Sequence, residues 1–270
     1  MADKTHYIIR GGVEGRERLR VLARVMRPAT VSLLHRAGIR PGMACLDVGC
    51  GGGDVSFELA RLVGAGGRVV GMDIDEVKIG MARAEAAAQQ IGNVEFRLGS
   101  IADHEGEAEF DFACARFLLS HLPEPAAALA RVRQALRPGG TLVVADTDFR
   151  GHFCHPDRPA LWRYVELYTA TLKRRGGDAN IGPRLPGLLA ENGFEDVQMN
   201  VVQPAGTDGE VKLITPLTME NIAEAVLGEG LASRAEIDGI VADLYAFARA
   251  AGTVASGARV VEAWGRRPAA

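Results

Sequence analysis

The sequence has little of what marks several large classes of protein. There are four cysteines in 270 residues, and none forms a C-x-x-C pair, which argues against a disulfide framework or a zinc module and favours buried thiols in a reducing compartment. No apolar run approaches the roughly 18 residues of a membrane span, and the first residues lack the apolar core of a signal sequence. We therefore expect a cytoplasmic protein with no membrane partner.

An excess of charge of one sign is also missing. The chain carries 31 basic and 34 acidic residues, a formal net charge of −3, with no basic stripe. Nucleic-acid binders usually carry a basic field, so we expect no nucleic-acid partner. The hydrophobic fraction of 47% is that of an ordinary globular protein, and no linker rich in proline, glycine or serine divides the chain. The sequence predicts one domain over residues 1–270.

Short apolar segments alternate with amphipathic ones through the first 146 residues. After a helix over 14–37, strands are predicted over 44–48, 68–72, 94–98, 110–115 and 141–145, with helices over 55–63, 76–91 and 125–136. This alternation is typical of a parallel sheet covered by helices on both faces. The second half predicts helices over 158–175, 183–192 and, broken near 228–230, over 218–251, and strands over 194–202 and 258–264.

A glycine-rich loop follows the first predicted strand. It reads Leu46-Asp47-Val48-Gly49-Cys50-Gly51-Gly52-Gly53-Asp54, and its glycines allow a sharp turn and the close approach of a ligand. A dinucleotide fingerprint would need a third glycine where Asp54 stands, and no Lys-Ser or Lys-Thr follows as in a phosphate-binding loop. The loop therefore predicts a nucleoside-like ligand without a polyphosphate, and Asp47 favours one that carries positive charge.

A carboxylate ends the second predicted strand. Asp73 lies 20 residues after Gly53, where a carboxylate can accept hydrogen bonds from both hydroxyls of a ribose. The alternative is that Asp73 only caps the helix that begins near Glu76.

Residues 41–146 resemble the core of the class I S-adenosylmethionine-dependent methyltransferases, in their small-molecule branch. The segments that carry the resemblance are the glycine loop, Val70-Gly71-Met72-Asp73-Ile74-Asp75, Phe110-Asp111-Phe112 and Leu136-Arg137-Pro138-Gly139-Gly140-Thr141-Leu142. The end of the chain, from Val260 to Pro268, is similar to the terminal strand of many small-molecule members. Many relatives have Gly-Asp after the third strand, whereas this chain has Gly99-Ser100-Ile101, so the contact to adenine differs here.

The resemblance implies an α/β, Rossmann-like, doubly wound seven-stranded sheet of order 3-2-1-4-5-7-6 with strand 7 antiparallel. It also implies an N-terminal helical segment (1–40) that includes a lid, a cofactor-binding core (41–146), and a substrate side (147–270) with a helical cap insert at about 205–255. The cofactor would be S-adenosylmethionine. The residues predicted to bind it are Asp47, Gly49, Gly51, Gly53, Asp73, Ile74, Ser100, Ile101 and Arg116, with Tyr7 and Arg10 on the lid.

Candidates for acceptor chemistry follow the fifth predicted strand, because ligands in such sheets bind beyond the carboxyl ends of the strands. His152 and His155 are candidate general bases, with Asp148 beside them, and His152 is preferred because Gly151 lets its loop bend inward. The same three residues suggest a metal site, but a loop supplies no fixed ligand geometry, and we predict none. We expect His121 to pack at a helix end.

These features predict transfer of a methyl group to a small organic acceptor, with oxygen, nitrogen and carbon all open, and with a homodimer as a further possibility. One alternative is a protein that binds the cofactor without methylating, as a rearrangement catalyst or a regulatory binder. A methyltransferase for proteins or nucleic acids is another. Enzymes that methylate exocyclic base nitrogens usually carry an Asn/Asp-Pro-Pro-Tyr/Phe-like run after strand 4, where this chain has Ala115-Arg116-Phe117-Leu118.

Overall fold

The computed structural model describes Ile9 and residues 15–269, which contain ten strands and eight α-helices. The strands are β1 (Ala44–Val48), β2 (Arg68–Asp73), β3 (Val94–Leu98), β4 (Phe110–Arg116), β5 (Leu136–Asp148), β6 (Cys154–His155), β7 (Glu195–Val202), β8 (Ala205–Gly206), β9 (Val254–Ser256) and β10 (Arg259–Arg266). The helices are α1 (Arg16–Arg36), α2 (Asp54–Val63), α3 (Glu76–Ala88), α4 (Pro125–Ala135), α5 (Pro159–Arg174), α6 (Leu185–Glu191), α7 (Ile214–Gly228) and α8 (Arg234–Arg249).

Seven of the strands form the main sheet, in the order β3-β2-β1-β4-β5-β10-β7. The first five pair in parallel, and β10 runs antiparallel to both of its neighbours, β5 and β7. Counted within the sheet, the order is 3-2-1-4-5-7-6 with the seventh strand antiparallel. The predicted topology is confirmed.

Both faces of the sheet are buried because its central strands are apolar on both sides. In β1, the Cys45 side chain packs in a cluster with Leu34 of α1 and Leu59 of α2. The next residue, Leu46, packs on the opposite face with Leu129 of α4. Successive side chains of a strand point to opposite faces, so a continuous apolar strand needs helices on both.

A helical cap stands over the carboxyl ends of the strands. It consists of α5, α7 and α8, whose apolar side chains share a cluster that includes Leu167, Ile222 and Leu244. Helices α7 and α8 lie between β7 and β10, as predicted for the insert. A small sheet of order β6-β9-β8 lies beside them, and its strands of two or three residues are too short to show a periodic pattern in the sequence.

Several element boundaries differ from the sequence-based expectation, among them those of β5 and α6. Strand β5 begins at Leu136 and not at residue 141, because Leu136 pairs with Phe110 and a register shift carries the strand through the Pro-Gly-Gly segment. There Gly139 and Gly140 exchange backbone hydrogen bonds with Arg267, beyond the end of β10. The helix predicted over 183–192 is shorter: it follows a 3-10 turn and spans Leu185–Glu191. Within the described residues, no helix is long and apolar enough to span a bilayer.

Candidate active site

A cavity of about 730 Å³ lies at the carboxyl ends of β1, β2, β4 and β5. One part of it, which we call the glycine-loop end, is lined by residues 47–52, 72–75 and 99–101. The other part, which we call the cap end, is lined by Phe149, His152, Tyr164, Tyr168, Thr218 and Asn221. Because α1 lies along the cavity as well, side chains from both halves of the chain face one space.

The glycine loop is held against the end of β2. The backbone N–H groups of Gly49 and Cys50 donate to the carbonyl of Met72, and the N–H of Gly51 donates to Asp73 Oδ2 at 2.9 Å. The other carboxylate oxygen of Asp73 accepts the N–H of Asp75 at 2.9 Å. Gly51 has φ of +54°, and a Cβ there would meet no atom within 4 Å. The loop backbone thus borders open cavity, with the Asp73 carboxylate beside it.

Gly53 has a different place from the one predicted. It precedes α2 with φ of +88°, and a Cβ there would come within 2.8 Å of Phe96 Cζ and 3.0 Å of Phe57 Cζ. Gly53 does not line the cavity, whereas Gly49 and Gly51 do. Glycine is required at position 53 because any side chain there would collide with the two aromatic rings on which the loop packs.

Asp47 is buried at the end of β1, where its Oδ2 accepts the hydroxyl proton of Ser56 at 2.6 Å. Burial raises the pKa of Asp47 to about 6, although the Ser56 hydrogen bond and the charge of Arg116 oppose this rise. Arg116 lines the cavity and donates from Nη1 to Thr30 Oγ1 at 2.9 Å. A buried carboxylate whose pKa is raised gains from a cationic ligand, which would favour its charged form.

The segment after β3 borders the glycine-loop end. Ile74, Ser100 and Ile101 all line the cavity. Ser100 caps a 3-10 turn by accepting the N–H of Ala102 on its Oγ at 3.2 Å, and its hydroxyl proton stays available for donation. Ile101 is buried and packs into the core below the cavity.

His152 is the imidazole that the fold brings to the cap end. It is buried, and its Nδ1 lies 2.9 Å from the carbonyl oxygen of Phe149. Because a carbonyl only accepts, Nδ1 carries the proton and Nε2 keeps its lone pair. Burial lowers the pKa of His152 to about 4, against opposing effects of the Phe149 bond and Asp148. His152 is therefore a neutral base at neutral pH.

The other two predicted catalytic residues do not reach the cavity. His155 is exposed in β6, where the chain runs outward to pair with Val254 of β9. Asp148 is buried, but its Oδ1 accepts from Arg150 Nε at 2.8 Å and its Oδ2 from Arg259 Nη2 at 2.7 Å. Of the three predicted catalytic residues, His152 is therefore the one that lines the cavity. In the part of the chain that the structure describes, no group of His, Cys, Asp and Glu side chains is arranged to hold a metal ion.

Sequence reasoning missed three polar side chains of the cavity. His121 follows β4, and burial, together with the charges of Arg18 and Lys78, lowers its pKa to about 3. Arg18 lies on the cavity-lining face of α1, four and eight residues before Leu22 and Met26. Asn221 lies on the inner face of α7. A charged residue in the apolar stripe of a helix was the available signal for Arg18.

The predicted lid residues Tyr7 and Arg10 lie outside the described residues. Ile9, between them, is buried, lines the cavity and packs in the apolar cluster of the cap.

Comparison with known proteins agrees with this geometry. Residues 39–172 match the family model described as a methyltransferase domain. A segment of 117 residues is 43% identical to nocamycin O-methyltransferase from Saccharothrix syringae, and the match covers 43% of this chain and 42% of that protein. The chain spans less than two thirds of the length of the curated relatives that it matches.

Solved structures have the same fold. A putative methyltransferase from Bacillus halodurans superposes with a TM-score of 0.61 at 20% identity, over 88% of this chain and 98% of that one. The [4+2]-cyclase SpnF superposes with a TM-score of 0.57 at 22% identity, over 90% of this chain and 82% of that one. The matched family model, the sheet order and the glycine loop followed by Asp73 together identify residues 39–172 as a methyltransferase domain, with the fold of the class I S-adenosylmethionine-dependent methyltransferases.

Proposed function

We propose that this protein transfers a methyl group from S-adenosylmethionine to a small organic acceptor. The observation that carries the proposal is the single cavity that joins the glycine loop and Asp73 to a cap end with aromatic side chains and a neutral imidazole. Such a space suits two ligands that meet in the middle, one nucleoside-like and one mostly apolar.

The residues of the glycine-loop end fit the cofactor. Each carboxylate oxygen of Asp73 accepts one backbone N–H and has a second lone pair for a ribose hydroxyl. Asp47 would face the amino group, the open space at Gly51 would take the ribose and methionine chain, and Ile74, Ser100 and Ile101 would border the adenine. When bound, the cofactor supplies an electrophilic methyl group on a sulfonium.

The cap end would hold and activate the acceptor. Phe149, Tyr164 and Tyr168 form apolar surfaces that exclude water, and His152 Nε2 would take the proton that an acceptor hydroxyl or amine loses during attack. A neutral imidazole is available for this role at neutral pH because its pKa lies near 4. The remaining protein contribution is to hold the two ligands in line.

His152→Ala is expected to lower the rate of the chemical step by about 10²–10⁴-fold, the usual contribution of a general base, and to leave cofactor affinity unchanged. Single-turnover kinetics and calorimetry with S-adenosylhomocysteine measure the two quantities. His155→Ala is the matched control, because this exposed side chain does not line the cavity. A His152 variant as fast as the His155 variant would remove His152 from the mechanism.

Two measurements test the reaction itself. Folded protein that binds neither S-adenosylmethionine nor S-adenosylhomocysteine in a calorimeter would contradict the proposal. With candidate acceptors, mass spectrometry should find S-adenosylhomocysteine in proportion to a product heavier by one methylene. An acceptor that isomerises while the cofactor survives would favour the non-methylating alternative, and salt-sensitive retention on RNA would favour a nucleic-acid acceptor.

We also propose that residues 1–270 act as one domain, with helices of both halves around one cavity. The homodimer and the cytoplasmic location stay predictions, and sedimentation equilibrium would test the first of them.

A further inference from the structure

Arg18 places a positive charge at the cap end of the cavity. Its side chain is 91% buried, with 9% of its surface exposed, and its Nε donates to Thr218 Oγ1 at 3.0 Å. The Thr218 hydroxyl proton is itself donated to the carbonyl of Ile214 at 2.6 Å. Among Ile9 and residues 15–269, no carboxylate lies within ion-pair distance of the Arg18 guanidinium, although other arginines of α1 pair with glutamates.

A buried guanidinium without a counter-ion is costly, and its planar set of N–H donors matches a carboxylate or another oxyanion. Nε uses one of these donors, so the Nη groups remain for a ligand. Since Arg18 lines the cavity, the anion that completes it would come from a bound molecule.

The position of Arg18 indicates that the anionic group belongs to the methyl acceptor and not to the cofactor. Arg18 bonds to α7 and lies near Tyr164 of α5, both parts of the cap. The cations that act on the carboxylates of the glycine-loop end are different ones: Arg116 acts on Asp47 and Asp54, and Arg20 also acts on Asp54. The carboxylates of Asp47, Asp54 and Asp73 line the glycine-loop end, where a cationic cofactor fits. On α7, Glu224 is paired with Arg234, and Arg18 has no carboxylate partner among the described residues.

Asn221 indicates a second group on the ligand, a hydrogen-bond donor. It follows Thr218 by three residues, on the same face of α7, and is also 91% buried. Its Nδ2 donates to the carbonyl of Leu217 at 2.7 Å, whereas its Oδ1 is buried without a hydrogen-bond partner in the described part of the chain and Asn221 lines the cavity. A buried amide oxygen without a hydrogen bond is costly, so Asn221 Oδ1 should receive an N–H or O–H group from the ligand. The rings of Phe149 and Tyr168 stack at an interplanar angle of 15°, with centroids 4.0 Å apart, and border the same end with flat apolar surface.

We infer that the methyl acceptor is a planar organic acid, held through its anionic oxygen by Arg18 and through a hydroxyl or N–H group by Asn221. The inference rests on the proposed function for the statement that the ligand of the cap end is the acceptor. The same anion chemistry also occurs in the carboxylate of the cofactor, so the experiment separates these two sources.

The test uses protein saturated with S-adenosylhomocysteine and a matched pair of probes, 1-hydroxy-2-naphthoate and 1-hydroxy-2-naphthamide. Calorimetry should show that the wild type binds the acid about 10- to 100-fold more tightly than the amide, as expected for a charge-assisted bidentate contact. Arg18→Gln should abolish this preference. Arg27→Gln is the matched control on the same helix, because Arg27 is exposed and pairs with Glu58, and it should keep the preference.

Asn221→Leu provides the second arm. In the wild type, 4-hydroxy-2-naphthoate, whose hydroxyl is too far from its own carboxylate to donate to it, should bind more tightly than 2-naphthoate, which lacks the donor, and the variant should remove this difference. Equal affinities of the wild type for acid and amide would overturn the inference, and so would failure of both to bind to protein that binds S-adenosylhomocysteine. These wild-type results decide the question even where Arg18→Gln does not fold.

The affinities of two nucleoside ligands show whether Arg18 binds the acceptor or the carboxylate of the cofactor. If Arg18 held the cofactor carboxylate, Arg18→Gln would weaken S-adenosylhomocysteine by about tenfold or more while leaving 5′-methylthioadenosine, which has no carboxylate, unchanged. That result would overturn the inference and leave the proposed function intact. A preference for the acid without any methyl transfer would instead contradict the proposed function and leave the anion site standing.

Discussion

At the scale of single residues, Asp73 has two roles. It ties the glycine loop to the end of β2 through Gly51 and Asp75, and it offers its remaining lone pairs to the cavity. Asp73→Asn keeps the volume of the side chain but removes its charge. We expect the affinity for S-adenosylhomocysteine to fall by about 10- to 100-fold, since charge-assisted hydrogen bonds contribute about 1.5–3 kcal/mol.

Isothermal titration calorimetry measures this change. Asp111→Asn is the control, because Asp111 accepts the N–H of Ala44 and pairs with Arg137 at the opposite end of the strands. The control should lower stability and leave cofactor affinity unchanged. Equal affinities for Asp73→Asn and wild type would show that the ribose lies elsewhere.

Asp47 should make cofactor binding depend on pH. Its pKa is raised to about 6 by burial, so below that pH it is largely protonated and does not attract an ammonium group. Binding of S-adenosylhomocysteine should then weaken as the pH falls below about 6, with one proton released per ligand bound. Calorimetry in two buffers of different ionisation enthalpy counts that proton. Asp47→Asn should remove the release, and a release that persists in the variant would assign it to another group.

At the scale of structural elements, two glycines of the glycine loop have different roles: Gly53 serves folding, and Gly51 serves cofactor binding. Gly53 precedes α2 where a Cβ would collide with Phe96 and Phe57, whereas at Gly51 the Cβ would enter open cavity. Gly53→Ala should therefore lower the free energy of unfolding by about 1–3 kcal/mol, from strain at positive φ and overpacking. Gly51→Ala should keep more of the stability and lose more of the cofactor affinity.

Urea denaturation and calorimetry on the same two variants give both quantities. The expected order is reversed between them: Gly53→Ala is the less stable variant, and Gly51→Ala is the weaker binder. Equal effects on binding would indicate that the loop contributes to the site only through its overall conformation.

At the scale of the whole molecule, buried titrating groups make stability depend on pH in opposing directions. Burial lowers the pKa of His121 to about 3 and of His152 to about 4, and it raises those of Asp47 and Asp146 to about 6. Between pH 4 and 6.5 the unfolded chain protonates its histidines before the folded protein does, so these two groups make stability rise with pH. The aspartates bind protons more tightly when folded, so their contribution falls as the pH rises through about 6.

His152→Gln should isolate one of these contributions. The shift from 6.5 to about 4 corresponds to about 3 kcal/mol, present above pH 6.5 and lost as the pH falls through about 4. Relative to the wild type, the variant should therefore be more stable at low pH than at neutral pH. Urea denaturation across that range measures the difference, with the exposed His155→Gln as the control. A difference that does not change with pH would contradict the burial of a neutral His152.

The sequence by itself determined the sheet, the glycine loop and the position of Asp73. Each of these follows from residues close together in the chain: an apolar strand, a turn that needs glycine, and a carboxylate at the end of the next strand. The order of the parallel strands also follows from the family resemblance, and the pairing confirms it. Local pattern was sufficient for the strands and the loop because apolar runs and turn glycines are recognised from neighbouring residues.

Only the tertiary structure decided which side chains line the cap end of the cavity. The hydrogen bond from Arg18 to Thr218 joins residues 200 positions apart, and no local pattern relates a helix near the start of the chain to one near its end. The choice between His152 and His155 was likewise made by the pairing of β6 with β9, which turns His155 outward. Asp148 is excluded because Arg150 and Arg259 donate to its two carboxylate oxygens. Which side chains line the cap end is therefore decided by the packing of helices that are distant in the chain, because a side chain faces the cavity only where another part of the chain forms the opposite wall.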